Sequence, residues 1–193
     1  MSKKRIILVR HGQENVAARR GELGGELTEL GVRQARLTGE RLSRLAVDRI
    51  VASSLPRAAQ TAALIADIVQ IGPIEQSELL WEALPSIPAG YEHLFVGLAE
   101  SGQVAQDLRR ASAAYEHYIL QMDDDSRCQL VVCHGNIIRY FVTRVRGLPV
   151  DHWHEMHIGN CSVTILDFDD DQQPRLHSFN DLDHLPESLQ TYV

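Results

Sequence analysis

The chain alternates short apolar runs with longer stretches in which apolar residues recur every three or four positions. The runs have strand length and lie near Arg5 to Val9, Asp48 to Ala52, Ile74 to Glu78, Gln129 to Cys133, Cys161 to Phe168 and Arg175 to Ser178. The periodic stretches predict helices near Gly31 to Leu45, Arg57 to Val69, Gln103 to Gln121 and Gly135 to Val145. Alternation of this kind predicts an α/β fold, a sheet covered by helices on both faces. Thr28, three residues before Gly31, marks a helix start, and Gly147 and Pro149 mark a stop. Trp81 to Gly102 breaks the pattern. With Pro85, Pro88, Gly90, Gly97 and Gly102 it holds no clear strand and reads as a lid or substrate-facing insertion.

Composition narrows the picture. At 193 residues and 44% hydrophobic, the chain suits one domain spanning residues 1–193 around a sizeable core. Its formal charge is −7, and the acid runs Asp123 to Asp125 and Asp169 to Asp171 read as solvated loop tips. That balance argues against a nucleic-acid partner, which wants a basic face. It also requires any phosphate site to be a local concentration of cations set against the global field. Cys128, Cys133 and Cys161 are odd in number and lack CxxC spacing, which speaks against a disulfide framework or a zinc knuckle and fits a reducing, cytoplasmic compartment. Ile6 to Val9 is too short for a signal peptide or a membrane span, so a soluble protein is expected.

Three strand ends carry candidate chemistry. In Leu8 to Asn15 an apolar strand runs into Arg10, His11 and Gly12. In an open α/β sheet, ligands bind in the crevice beyond the carboxyl ends of the strands, so Arg10 and His11 should project there. Val131 to Asn136 repeats the grammar, with His134 and then Gly135 opening a helix whose first N–H groups suit an anion. Two strands that each end in His-Gly are hard to attribute to packing. Ser53 to Ala62 is a third strand-turn-helix element and places Arg57 in the first helical turn, where its guanidinium and that of Arg10 match the oxygens of phosphate.

Together, Arg10-His11-Gly12, the Ser53-Ser54-x-x-Arg57-Ala58-x-Gln60-Thr61-Ala62 element and His134-Gly135 resemble the signature of the histidine phosphatase (phosphoglycerate-mutase-like) superfamily. Leu27-Thr28-x-x-Gly31 and Asn160 to Thr164 extend the likeness over nearly the whole chain. Arg10-His11-x-Gln13, Glu78-Leu79-Leu80-x-Glu82 and Cys133-His134-x-Asn136-x-Ile138-Arg139-Tyr140 are similar to the branch containing the mitochondrial serine/threonine protein phosphatase of that family. The resemblance implies a three-layer αβα sandwich, mostly parallel with one antiparallel strand. It also implies a cofactor- and metal-independent phosphomonoesterase that works through a phosphohistidine.

His11 is then the nucleophile, and a neutral imidazole is competent in that role near neutral pH. Arg10, Arg57 and His134, with Gly135 at the helix start, would bind the phosphoryl oxygens. Glu82 takes the acid/base role by its place in the family pattern, with Glu78 and Glu75 as local competitors. The expected substrate is a phosphoprotein or a small phosphoester, with no nucleic acid and no membrane. Relatives of this kind are often homodimers, to which Asn180 to Val193 could contribute.

Three other readings compete. Asp151, His152, His154, Glu155 and His157 form a dense cluster that could suggest a metal hydrolase, but only His154 and His157 share a helix face and the spacing is unlike the zincins. Mutases of the family carry a longer insertion than Ala83 to Gly102. A catalytically silent scaffold would have no need to retain His11, Arg57, Glu82 and His134 together. Cys133 reads as a small buried hydrophobe, and Trp81 and Trp153 as packing.

Overall fold

The computed structural model of the chain describes residues 4–18, 24–121 and 126–192. Six strands form one sheet: β1 (Arg5–Arg10), β2 (Arg49–Ser53), β3 (Ile74–Ser77), β4 (Cys128–Cys133), β5 (Val163–Phe168) and β6 (Pro174–Asp181), in the order β3-β2-β4-β1-β5-β6. The pairs β3/β2, β2/β4 and β4/β1 are parallel, while β5 runs antiparallel to both β1 and β6, so one strand opposes the rest. The helices are α1 (Glu29–Leu42), α2 (Pro56–Val69), the short α3 (Val96–Glu100), α4 (Gln103–Tyr115) and α5 (Gly135–Val145).

Side-chain alternation along the strands sends neighbouring residues to opposite faces. Ile7, Val9, Ile50, Leu130 and Val132 pack with Leu42 of α1 and Ala62 and Ile65 of α2. Ile6, Leu8, Val51 and Val131 pack on the other face with Ala111 and Tyr115 of α4 and Ile137 and Phe141 of α5. The sheet therefore lies between two helical layers, the α/β sandwich expected from the pattern. Each fully buried Leu or Ile contributes about 1.5–3 kcal/mol relative to exposure.

The boundaries differ from the sequence reading where local geometry intervenes. α1 begins two residues early because Thr28 caps it, its Oγ1 accepting from the Gly31 N–H at 3.0 Å. β5 starts at Val163 instead of Cys161, since Cys161 takes a left-handed φ of 55° and Ser162 closes a turn on Gly159. α4 stops at Tyr115 and continues as one wider turn, Glu116–Leu120.

Asp169 to Asp171 is the exposed turn between β5 and β6, tied by an Asp169–Arg175 ion pair of 2.8 Å, whereas Asp123 to Asp125 lies outside the described residues. Trp81 to Gly102 holds no strand. It carries two short helical pieces and exposes Tyr91, Leu94 and Val96. Much of the tail is engaged by its own chain: Leu182, Leu185 and Leu189 are buried, Gln34 donates to the Leu189 carbonyl, and Tyr192 is exposed. Among the described residues no helix is long and apolar enough to cross a membrane.

Candidate active site

Strand register builds the site. Arg10 of β1 pairs with Cys133 of β4, and Val132 of β4 pairs with Ala52 of β2, so the residues that follow, His11, His134 and Ser53, leave three adjacent parallel strands at one edge. The His11 and His134 rings meet with centroids 5.1 Å apart.

His11 is 3% exposed and held on every side. Its backbone N–H donates to the Cys133 carbonyl at 2.9 Å, and its carbonyl accepts from Asn160 Nδ2 at 3.1 Å. Nδ1 lies 2.7 Å from the Gly12 carbonyl, which can only accept, so Nδ1 carries the proton. Nε2 is then the lone-pair nitrogen, and it accepts from Arg57 Nε at 3.1 Å. The turn is possible because Gly12 has no side chain: a Cβ there would stand 2.6 Å from the Gly31 carbonyl oxygen. Thr61 Oγ1 accepts from the Gly12 N–H at 3.0 Å and Gln34 from the Gln13 N–H at 2.8 Å.

His134 is fully buried and oriented in the opposite sense. Its Nε2 lies 2.8 Å from Ser53 Oγ. Among the described residues its Nδ1 has no hydrogen-bond partner. Burial, reinforced by His11, Arg57 and Arg10, holds its pKa well below that of an ordinary histidine, so the ring is neutral. Ser53 Oγ accepts from the Leu55 N–H at 3.3 Å, and donation of its own hydrogen to Nε2 would leave the imidazole proton on Nδ1.

Arg57 comes from the first turn of α2 and is 7% exposed. Glu14 Oε1 lies 3.8 Å from its Nε and forms a nearly buried ion pair. Arg10 donates from one terminal nitrogen to the Ile158 carbonyl at 2.7 Å, and burial lowers its pKa. Gly135 packs against Ile158 and Arg10, where a Cβ would meet Ile158 Cγ2 at 3.2 Å.

Glu82 reaches the same crevice from the loop after β3. One oxygen, Oε1, accepts from both the Ala83 and Asn136 N–H groups at 3.1 Å, so the carboxylate caps α5. One first-turn N–H expected to face an anion is thus already taken. Burial raises the Glu82 pKa, opposed by the Ala83 N–H and by Arg10, Arg57 and Arg139. The competitors lie elsewhere: Glu75 is exposed and paired with Arg49 at 2.7 Å, and Glu78 is exposed in the turn Glu78–Leu80.

All five residues singled out for catalysis therefore converge. Sequence reading gave no role to Ser53, Glu14 or Arg139. Ser53 sat inside a quoted motif, and its signal was a hydroxyl at the last residue of a buried strand.

The other candidates resolve differently. His152 pairs with Glu155 at 3.0 Å and His154 bonds its own turn, Val150–Glu155. Among the described residues no group of three or more His, Cys, Asp or Glu is placed to hold a metal ion. Cys133 is fully buried and burial pushes its thiol pKa up. Trp153 is buried under Arg139, whose guanidinium carbon is 5.1 Å from the ring, and Trp81 donates to Ser54 at 2.7 Å.

A fold of this design has known counterparts. The model of the histidine phosphatase superfamily (branch 1) matches residues 6–85 and 91–182, and the chain belongs to that family. It is 34% identical over 173 residues to the mitochondrial serine/threonine-protein phosphatase Pgam5 of Drosophila ananassae and 32% identical over 189 residues to PGAM5 of Rattus norvegicus. Those matches cover 84% and 95% of this chain, which spans 58% and 64% of those relatives' own length. Among solved structures, a mycobacterial glucosyl-3-phosphoglycerate phosphatase in complex with VO3 aligns with a TM-score of 0.66 at 25% identity, covering 92% of this chain and 99% of its own. A phosphoserine phosphatase from Entamoeba histolytica shares the fold with a TM-score of 0.72 at 23% identity, covering 95% of this chain and all of its own. The cytoplasmic location expected from cysteine usage is overturned by these comparisons, because the similar phosphatases are named mitochondrial. Free thiols report a reducing compartment and do not identify which one.

Proposed function

We propose that this chain is a metal-independent phosphomonoesterase that passes the phosphoryl group through Nε2 of His11 and acts on phosphoserine or phosphothreonine in proteins. The observation that carries the reading is the fixed tautomer of His11. Its Nδ1–H is committed to the Gly12 carbonyl, and its lone pair lies beside Arg57 and the His134 ring.

In the first step the Nε2 lone pair attacks phosphorus and the ester P–O bond breaks. The Arg57 Nε–H, which stays on arginine, redirects its hydrogen bond from Nε2 to a phosphoryl oxygen, and Arg10 and the Nδ1–H of His134 stabilise the others. The imidazolium that forms keeps its Nδ1–H on the Gly12 carbonyl. The departing alkoxide takes a proton from Glu82, carried on Oε2 because Oε1 already accepts two backbone N–H groups. In the second step the Glu82 carboxylate takes a proton from water, the water oxygen bonds to phosphorus, and the P–N bond breaks. Inorganic phosphate leaves and neutral His11 returns.

The protein substrate is favoured by the named activity of the relatives at 32–34% identity. The exposed apolar side chains Tyr91, Leu94 and Val96 also leave this segment open to a large substrate. Small phosphoesters are the second reading, favoured by the glucosyl-3-phosphoglycerate phosphatase likeness. A panel of phosphopeptides and metabolite phosphoesters, run with and without chelator, decides between them. Metal-dependent turnover would contradict the mechanism. Trapping a acid-labile phosphoenzyme in the wild type and its absence in His11→Ala tests the covalent step. The homodimer implied by the family resemblance belongs to the same proposal, and light scattering of the purified chain tests it.

A further inference from the structure

Glu82 sits on an irregular loop, yet general acid catalysis needs its carboxyl placed to within a fraction of an ångström. The face of α4 that carries Gln103, Asp107 and Arg110 touches that loop at three backbone groups, on Trp81, Glu82 and Leu84. Arg110 donates from its two terminal nitrogens to the Trp81 carbonyl and, at 2.7 Å, to the Glu82 carbonyl. Asp107 Oδ2 accepts from the Leu84 N–H at 2.9 Å. Asp107 Oδ1 accepts from Arg110 and from Gln103 Nε2, each at 2.9 Å. The Asp107 and Arg110 side chains are 11% and 19% exposed, so water competes weakly for these bonds. From the opposite side, the Trp81 indole is tied to Ser54 at 2.7 Å and the Glu82 carboxylate to the Asn136 N–H.

We infer that Arg110 and Asp107 are positioning residues for the acid: a two-residue clamp on α4 that fixes the backbone of Trp81 to Leu84 and thereby aims Glu82 at the leaving oxygen. This inference rests on the proposed phosphatase reading. The planar guanidinium suits the task, because its fork reaches two consecutive carbonyls, which a lysine ammonium on a flexible stem cannot hold in one geometry. Neither residue touches the position of the phosphoryl group. A fault in the clamp that keeps the Arg110 charge, which also acts on His134, therefore falls on the proton and leaves nucleophile and phosphate binding in place.

The test compares two esters in Arg110→Lys and Asp107→Asn, with Arg110→Ala as the stronger variant. Nitrophenolate leaves without a proton, whereas the alkoxide of phosphoserine needs one. In Arg110→Ala, kcat/KM for phosphoserine is expected to fall about 10–100-fold, while that for p-nitrophenyl phosphate stays within about threefold. Arg110→Lys keeps the charge, which also acts on His134, and is expected to show the same selective loss in smaller measure. Equal losses on both esters, or unchanged hydrolysis of phosphoserine, would overturn the clamp. Amide hydrogen exchange supplies a readout independent of activity: the Asn136 N–H, which donates to Glu82, is expected to exchange faster in each variant. Unaltered protection there also overturns it. A wild-type chain that hydrolyses neither ester removes the phosphatase reading, and the exchange experiment still decides whether α4 holds Glu82 in place.

Discussion

The ends of β1 and β4 read alike in sequence, each a buried strand followed by His-Gly, yet the fold gives the two imidazoles opposite hydrogen-bond arrangements. His11 spends Nδ1 on the carbonyl of the next residue and turns Nε2 toward Arg57. His134 spends Nε2 on the hydroxyl of Ser53, from another strand, and its buried Nδ1 has no hydrogen-bond partner among the described residues. A carbonyl partner demands N–H and exposes a lone pair, whereas a hydroxyl can accept as well, and only when it donates does it expose an N–H. In the proposed mechanism one ring thereby serves as a nucleophile and the other, with Ser53 donating, as a donor to anionic oxygen. The hydrogen-bond partner, not the motif, sets the role.

The largest expected effect breaks the pair apart. His11→Ala should reduce turnover by about a thousandfold or more and abolish the phosphoenzyme, while His134→Ala should slow turnover by about a hundredfold and still form it. Rapid-quench labelling reads both, and a phosphoenzyme in His11→Ala would reverse the assignment.

The proton belongs to neither ring. Glu82→Gln should lower kcat/KM for an alkyl phosphate by about 10²-fold or more with little change in inhibition by inorganic phosphate. Because burial raises the Glu82 pKa, the acid form persists to higher pH than for an ordinary glutamate. Wild-type kcat/KM for that ester should therefore be high on the acid side and fall as pH rises through the Glu82 pKa. Glu82→Gln should lose that limb, and its survival in the variant would place the acid elsewhere.

A finer test separates the tautomers. In the proposed mechanism the Ser53 hydrogen keeps the His134 proton on Nδ1, so Ser53→Ala, with the loss of about one hydrogen bond, near 1.4 kcal/mol, predicts roughly tenfold lower kcat. Nitrogen chemical shifts of the imidazole should show protonation moving to Nε2, and an unchanged tautomer would remove Ser53 from the site.

The two glycines sharpen the contrast in a different way. Gly12→Ala drives a Cβ onto the Gly31 carbonyl at 2.6 Å and should destabilise the fold by about 1–3 kcal/mol, as overpacking against backbone does. Gly135→Ala meets the Ile158 methyl at 3.2 Å and gains helix propensity, so its effect should stay within about 1 kcal/mol. Denaturant unfolding of both variants checks the difference.

The smallest effect concerns a third enclosed histidine, remote from the chemistry. His184 lies between Thr38 and Arg41, at 2.9 and 3.1 Å, and burial, with Arg41, lowers its pKa to about 4. The unfolded chain binds that proton near pH 6.5 and the folded chain only near 4, so stability should decline as pH falls through this window and level off below it. Asp181, held down to about 2 by Arg41, adds a further loss at more acid pH. Thermal midpoints of His184→Asn should show a flatter profile between pH 6.5 and 4, and an unaltered slope would assign the acid sensitivity to other groups.

Much of this was legible in the chain. The period-2 and period-3.6 patterns gave the elements and the two-faced sheet, because burial on both faces imposes those periods on any sequence that folds this way. His11, His134, Arg10 and Arg57 were visible because each stands directly at or just after a strand end, where parallel strands open their crevice. Glu82 could be placed only through the family pattern, since its loop has no period of its own. Ser53, Glu14 and the Asp107–Arg110 clamp escaped. Each acts on a residue between 23 and 81 positions away, and linear spacing carries no record of such contacts. A charged residue among the buried positions of α4, Asp107 beside Ala111 and Ala114, was the one faint sign.

By itself, then, the sequence determined the layers, the strand ends and the kinds of side chain gathered there, because local periodicity and turn chemistry act between near neighbours. Only the tertiary structure decided which nitrogen of each histidine is bound by a neighbour, which of the candidate acids is sheltered, and which groups hold its loop. Those outcomes depend on hydrogen-bond partners and desolvation contributed by distant segments, and they come into being when the strands take their register.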